Sequence, residues 1–176
     1  MHESSWIHMR EVLQQHLQPL WMTPLRVLDV GSMSVNRSYP RTYREHMSPH
    51  WIYRGCDLAP GKNVDLIQSG PYELPGERDG EYDLVISGQC LEHAENPFRL
   101  VAAMARAVKS GGFMFLTAPW NQREHRYPID CWRILPDGMR VLLRDAGIDC
   151  INAYMIQNDC WGIGTKPPAT EGETPV

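Results

Sequence analysis

A short apolar run that stops at an acid and a glycine, Arg26-Val27-Leu28-Asp29-Val30-Gly31-Ser32, constrains this chain more than any other segment. It is too short for a helix and too apolar for a half-exposed strand. It therefore predicts a buried parallel strand that ends at a ligand-facing turn. A second run, Trp51 to Cys56, also ends in an acid, Asp57. Two strands that each deliver a carboxylate to the carboxyl edge of one sheet suit a nucleoside-containing ligand.

The rest of the chain keeps the alternation going. Trp6, Met9, Leu13, Leu17 and Leu20 recur at helical spacing after Ser4 or Ser5 as a cap, which predicts an N-terminal helix over residues 1–20. A short helix is expected around Thr42 to Met47, a short strand at Asn63 to Ile67, and a strand at Tyr82 to Ser87. Asn96 and Pro97 open a helix whose stripe runs Leu100, Val101, Met104, Ala105 and Val108, with Lys109 in its last turn and Gly111 as terminator. Phe113 to Thr117 is the next strand. Pro136 or Asp137 starts a last helix ending near Gly147, and Ile148 to Gln157 with Trp161 to Thr165 form a hairpin about Asn158-Asp159. Strands alternating with helices give a mostly parallel α/β sheet, and the hairpin adds an antiparallel end. One domain over residues 1–166 follows, with a disordered Pro-, Thr- and Glu-containing tail at 167–176.

Composition removes several classes. The net charge of −4, without a basic cluster, gives no nucleic-acid footprint. No stretch approaches the roughly 20 apolar residues of a membrane span. The start, with His2 and Glu3, lacks a secretory layout. Five cysteines, none in a C-x-x-C pair, suit buried thiols in a reducing cytoplasm better than zinc or disulfides.

Three constellations carry chemistry. Gly31 allows close backbone approach to a ligand after Asp29, although the same residues also suit a simple tight turn. Asp57 can bind both hydroxyls of a ribose or cap a turn. Ser87-Gly88-Gln89-Cys90-Leu91-Glu92-His93 follows the next strand at the same edge, where His93 can act as a base or hold a loop.

Taken in order, Val27 to Gly31, Asp57, Tyr82 to Ser87, Leu91-Glu92-His93 and Val108-Lys109-Ser110-Gly111-Gly112-Phe113 resemble a class I S-adenosylmethionine-dependent methyltransferase, over roughly Trp21 to Thr165. The resemblance implies a single Rossmann-like, doubly wound, mostly parallel seven-stranded sheet with a C-terminal antiparallel hairpin. It implies S-adenosyl-L-methionine as cofactor. Asp29, Gly31 and Ser32 would line its methionine, Asp57 its ribose, Leu58 and Ser69 its adenine, and Ser87, Gly88 and Gln89 the sulfonium side. Relatives carry glycines where Met33 and Val35 stand, so this turn must be built differently.

The family places its acceptor pocket after the strand that ends at Thr117. There the chain reads Trp120, then His125-Arg126-Tyr127-Pro128-Ile129-Asp130-Cys131-Trp132-Arg133. Trp120, Tyr127, Trp132 and Arg133 suit a small polar, ring-containing acceptor such as a sugar or natural-product intermediate. His125, then His93, or Asp130 would take a proton from an acceptor oxygen or nitrogen. Asp130 and Arg133 equally suit a structural pair that pins the loop. No ligand spacing supports a metal site from His93, His125 and Asp130. A non-catalytic binding or partner-activating module is the competing reading. A nicotinamide oxidoreductase would need a fuller glycine run. Homodimerisation through the first helix is open.

Overall fold

The computed structural model describes residues 3–36, 38–75 and 79–168. A seven-stranded sheet forms its centre, in the order β3-β2-β1-β4-β5-β7-β6. The strands are β1 (Arg26–Val30), β2 (Ile52–Asp57), β3 (Leu66–Ile67), β4 (Tyr82–Gly88), β5 (Val108–Pro119), β6 (Asp149–Ile156) and β7 (Asp159–Thr165). Pairings from β3 through β5 are parallel, while β7 runs antiparallel to both β5 and β6. The strand order reverses between β1 and β4, which is where such sheets open a ligand crevice at their carboxyl edge.

Each face of the sheet is covered. Helix α1 (Glu3–Leu17) lays Met9, Val12, Leu13 and Leu17 on one face against Leu84, Ile86, Phe115 and Trp161. Its apolar stripe is therefore spent on this core, and a dimer through this helix would have to use its other side. Helices α2 (Pro97–Ala107) and α3 (Pro136–Asp145) cover the opposite face through Leu100, Val101, Met104, Met139, Leu142 and Leu143. Asn96 caps α2 as its sequence predicts, its side chain accepting the Arg99 N–H at 3.1 Å.

Four elements differ from the sequence expectation. Ser5 is not a cap but sits inside α1, where its hydroxyl donates to the buried Asp159 carboxylate. Helix α2 stops at Ala107, two residues before Lys109. Its end is held by a distant side chain, because Lys166 Nζ donates to the carbonyls of Ala105 and Val108 at 2.9 Å. Lys109 to Gly112 instead form an irregularity at the start of β5, with Lys109 Nζ on Asp83 at 2.7 Å and Gly111 at φ +76°. The short strand shrinks to Leu66–Ile67, since Asn63 adopts φ +73° and turns the chain. The hairpin turn falls one residue early, at Gln157-Asn158, so Asp159 joins β7 and is buried. Of the expected tail, residues 169–176 lie outside the described residues. No described helix is long and apolar enough to cross a membrane.

Candidate active site

The first crossover sets the shape of the site. A crossover between parallel strands normally carries a helix, but the described residues of 31–42 form none, and a short 3-10 turn, Tyr43–His46, precedes β2. The reason lies in where the turn's amides point. Gly31 and Ser32 N–H both donate to the Cys56 carbonyl at 3.0 Å, Met33 N–H to Asp57 at 3.1 Å, and Ser34 N–H to the Lys62 carbonyl at 3.0 Å. The amides that a glycine-rich turn would offer to a ligand are thus committed to the neighbouring strand and loop. Ligand contacts at this turn fall to side chains and carbonyls instead.

Those side chains surround an open cleft. Asp29 and Gly31 line it from the end of β1, and Gly88 and Gln89 from the end of β4. The segment after Gly31 contributes Asn36, Tyr39, Arg41 and Tyr43. Gly31 sits at φ +73°, and a Cβ there would lie 2.5 Å from Cys90 Sγ. A Cβ at Gly88 would lie 2.5 Å from the Tyr43 ring. Both positions therefore need glycine because a wall stands behind them.

Asp29 is buried and receives a hydrogen bond from the Tyr53 hydroxyl. Burial pushes its carboxyl up to about 7, with the Tyr53 bond opposing that rise. Tyr53 in turn accepts from Asn63 Nδ2 at 3.0 Å, and the same amide donates to the Ser32 carbonyl at 2.9 Å. The Ser32 hydroxyl closes this ring by donating to the Asn63 carbonyl at 3.0 Å. Two residues of the lining carry a buried polar atom without a partner, Tyr43 Oη and Gln89 Oε1. Such atoms are costly unless a ligand or water completes them. A polar, charged ligand fits this lining.

The remaining cofactor expectations divide. Asp57 ends β2, its two oxygens accepting Leu58 N–H at 2.8 Å and Met33 N–H at 3.1 Å. A carboxylate has about four acceptor positions, so two stay available for a ribose diol. Leu58 is half exposed beside it. Ser69 donates to Glu73 at 2.8 Å instead of facing the cleft. Ser87 is fully buried, its hydroxyl on the Val30 carbonyl at 2.8 Å, so it ties β4 to β1 rather than touching a ligand. Gln89, at φ +57°, donates to Asp159 at 3.0 Å and thereby links the cleft to β7.

The acceptor-side loop, residues 121–135, is stitched onto the turn Leu91–His93. Cys131 N–H donates to the Glu92 carbonyl at 2.7 Å, and Trp132 Nε1 to the Ala94 carbonyl at 2.8 Å. His93 Nδ1 lies 2.6 Å from the Ile129 carbonyl. A carbonyl only accepts, so that nitrogen carries the proton and Nε2 presents its lone pair. His125 stands beside it, the two rings 5.0 Å apart and nearly perpendicular. Its Nδ1 is 3.1 Å from the Arg123 carbonyl, which fixes the same tautomer. Tyr127 and Trp132 are largely exposed along this loop, with Tyr127 edge-on to His93. Trp120 is anchored by its Nε1 on the Gln157 carbonyl at 2.9 Å.

Asp130 and Arg133 form the ion pair that the sequence allowed for. Arg133 grips both Asp130 oxygens, at 2.6 and 2.8 Å, and donates to the Gln122 and Arg123 carbonyls. Asp130 also accepts His125 N–H at 2.7 Å. The Arg133 guanidinium beside it holds its carboxyl well below the usual range, which makes it a poor base.

Sequence reasoning did not single out Tyr43, Tyr53, Asn63 or Asp159, and it read Glu92 only as part of a motif. Glu92 is fully buried with neither carboxylate oxygen hydrogen-bonded. Burial pushes its carboxyl up to about 8. Its Oε1 lies 3.7 Å from His93 Nε2 and 3.8 Å from His125 Nε2.

Comparison with known proteins agrees with this architecture. Residues 31–116 match a family described as a methyltransferase domain. The chain is 40% identical over 108 residues to a ubiquinone biosynthesis O-methyltransferase of Dechloromonas aromatica, a match covering 57% of this chain and 47% of that one. The chain thus spans under half the length of that relative. A Burkholderia thailandensis 1,6-didemethyltoxoflavin-N1-methyltransferase, solved with S-adenosylhomocysteine, superposes with a TM-score of 0.70 over 94% of this chain and 79% of its own, at 15% identity. An S-adenosylmethionine-dependent methyltransferase from Aquifex aeolicus superposes with a TM-score of 0.61 over 94% of this chain and 98% of its own, at 14% identity. At such identities the structures speak for the fold, and the family match adds the sequence. The chain thus carries a match to a methyltransferase domain over residues 31–116 and shares the fold of S-adenosylmethionine-dependent methyltransferases.

Proposed function

We propose that this protein transfers a methyl group from S-adenosylmethionine to a ring-borne hydroxyl or amine of a small molecule. The observation that carries the reading is the pair of acids at adjacent strand ends. Asp29 is buried and lines the cleft, Asp57 is held at the end of the neighbouring strand, and Tyr43 and Gln89 of the lining each carry an unpartnered buried oxygen. Asp29 and Gln89 would take the amino-acid end of the cofactor and Asp57 its ribose. When bound, the cofactor supplies a methyl carbon on a positively charged sulfur.

The chain's own part is positioning and proton handling. Holding acceptor, methyl and sulfur in line in a closed site can supply most of the rate. The new bond to the acceptor forms as the carbon–sulfur bond breaks, and the acceptor's proton leaves to a base. His125 and His93 present Nε2 lone pairs from the acceptor-side loop and its supporting turn. Trp120, Tyr127 and Trp132 would provide flat surfaces for a ring. The curated relatives named for ubiquinone biosynthesis favour oxygen over nitrogen as the acceptor atom.

Calorimetry with S-adenosylhomocysteine tests the first half. Binding is expected, and Asp57→Ala should weaken it by about 10-fold or more, the scale of one charge-assisted hydrogen bond. Absence of binding at millimolar ligand would favour the non-catalytic reading and overturn this one. Methyl transfer to a panel of catechols and hydroxylated rings tests the second half. There His125→Ala should lower turnover while leaving homocysteine-product binding intact.

A further inference from the structure

We propose that Glu92, His93 and His125 bind a divalent first-row transition-metal ion through one carboxylate oxygen and the two imidazole Nε2 atoms. These three ligand atoms lie within 4.8 Å of one another, and the two distances from Glu92 Oε1 are 3.7 and 3.8 Å. Ligands about 2.1 Å from a tetrahedral ion stand about 3.4 Å apart. A contraction of a few tenths of an ångström suffices on the Glu92 side, and the two imidazoles, at most 4.8 Å apart, close by about 1.4 Å or less.

Two independent features point to an ion here. Glu92 has no exposed surface and no hydrogen-bond partner for either oxygen. A fully buried carboxylate without partners is otherwise an uncompensated cost. The Arg133 guanidinium attracts it from a distance but makes no hydrogen bond to it, because its N–H groups are taken by Asp130 and by the carbonyls of Gln122, Arg123 and Trp132. Both imidazoles, finally, are oriented in the way that metal ligands are. Each has its Nδ1 proton held by a backbone carbonyl, Ile129 for His93 and Arg123 for His125, which leaves Nε2 as donor towards Glu92.

The donor set selects the class of ion. Two imidazoles and one carboxylate suit zinc, iron, cobalt or nickel, whereas magnesium and calcium take oxygen ligands. Three protein ligands leave a coordination position open, as in metal sites that bind water or a substrate oxygen. His125 is partly exposed on its loop, which provides an entry path. Sequence spacing supported no metal site from His93, His125 and Asp130; in the fold Asp130 is turned to Arg133, and Glu92 stands in its place. An ion here would raise the acidity of a bound hydroxyl directly, and the two imidazoles would then serve as its ligands rather than as bases.

The test needs no methyl donor. The full chain is stripped with a chelator, then titrated with zinc by calorimetry and with cobalt by absorption. One equivalent is expected to bind, with a cobalt spectrum of nitrogen and oxygen ligation. Glu92→Gln and His125→Ala should each weaken binding by about 100-fold or more, given that loss of even an outer-shell partner costs 10–100-fold. His8→Ala is the control, since His8 is engaged with Glu11 and Tyr154 far along the chain. Thermal melts of the stripped variants report folding, and His125→Ala, on the loop, keeps the test valid where Glu92→Gln does not fold. Failure to bind zinc or cobalt, or binding that both substitutions leave unchanged, overturns the proposal. S-adenosylhomocysteine binding measured on the same samples is independent of that outcome, so loss of the metal reading alone leaves it intact.

Discussion

The Tyr53 hydroxyl reaches across from β2 to donate its hydrogen bond to the carboxylate of Asp29 on β1. Parallel register sets Asp29 opposite Gly55, two residues along from Tyr53, and both side chains are buried. The bond is what lets an acid sit inside the sheet edge. Tyr53→Phe removes the hydroxyl and leaves Asp29 with its burial cost unrelieved. We predict a loss of about 1–3 kcal/mol in urea unfolding. The loss should be larger near pH 8 than near pH 5, because the bond is stronger to the ionised carboxylate. An equal loss at both values would mean that Asp29 does not ionise in the folded protein.

Asp29 itself sets a pH dependence. Its carboxyl ordinarily titrates near 3.8 and is raised to about 7 in the fold. Between those values the folded chain holds a proton that the unfolded chain has released, so stability falls as pH rises through this window. The contribution is complete below about 3.8 and gone above about 7. Asp29→Asn has no proton to lose. Compared with the parent chain, it should therefore gain stability on going from about pH 5 to about pH 8, each unit of separation being worth about 1.4 kcal/mol. The same acid makes cofactor binding proton-linked. Its pairing with a ligand ammonium should release a proton near pH 6, visible as a buffer-dependent binding heat that Asp29→Asn abolishes.

These two residues also mark how far the sequence could be read. The strand ends and their acids were legible because a buried parallel strand writes itself as an uninterrupted apolar run. Gly31 and Gly88 were legible as positions of close approach, although the neighbours that require them, Cys90 and Tyr43, come from distant segments. What could not be read depended on pairing across such distances. Tyr53 looks like one more residue of an apolar run, and nothing local says that its hydroxyl serves Asp29. Lys166 caps a helix that ends 59 positions earlier, so Gly111 drew the helix end too far. Glu92 carries no sign in the sequence that its carboxylate has been left without a donor. Only Asn63 offered a local clue, because asparagine is among the few residues at ease at positive φ.

Two glycines with the same backbone conformation should respond differently to a methyl group. Gly31 and Gly111 both sit in the left-handed region, at φ +73° and +76°. A Cβ at Gly31 would meet Cys90 Sγ at 2.5 Å and Cys90 Cβ at 2.7 Å, whereas at Gly111 nothing lies within 4 Å. Gly111→Ala should cost only the conformational penalty, about 1 kcal/mol. Gly31→Ala adds overpacking of about 1–3 kcal/mol and moves the turn that carries Ser32. Thermal melts should rank Gly31→Ala well below Gly111→Ala, and only the former should weaken S-adenosylhomocysteine binding. Equal melts would show that the Cys90 wall yields.

The Asp130–Arg133 pair makes the last case, because it separates holding a loop from doing chemistry. Arg133 makes two parallel bonds to Asp130 and three more to backbone carbonyls, so it fastens residues 122–133 to themselves. Lysine keeps the charge but cannot reproduce the two-pronged grip. Arg133→Lys should therefore raise hydrogen exchange through residues 122–133 while leaving the protection of β1 and β4 unchanged. Losing one charge-assisted bond in this loop is worth about 1.5–3 kcal/mol. Since Asp130 also receives His125 N–H, the imidazole should lose its place, and acceptor KM should rise more than cofactor affinity falls. If Asp130 acted as a base, Asp130→Asn would abolish turnover while sparing the loop's protection. The geometry predicts the reverse order, with protection lost first and turnover reduced through His125.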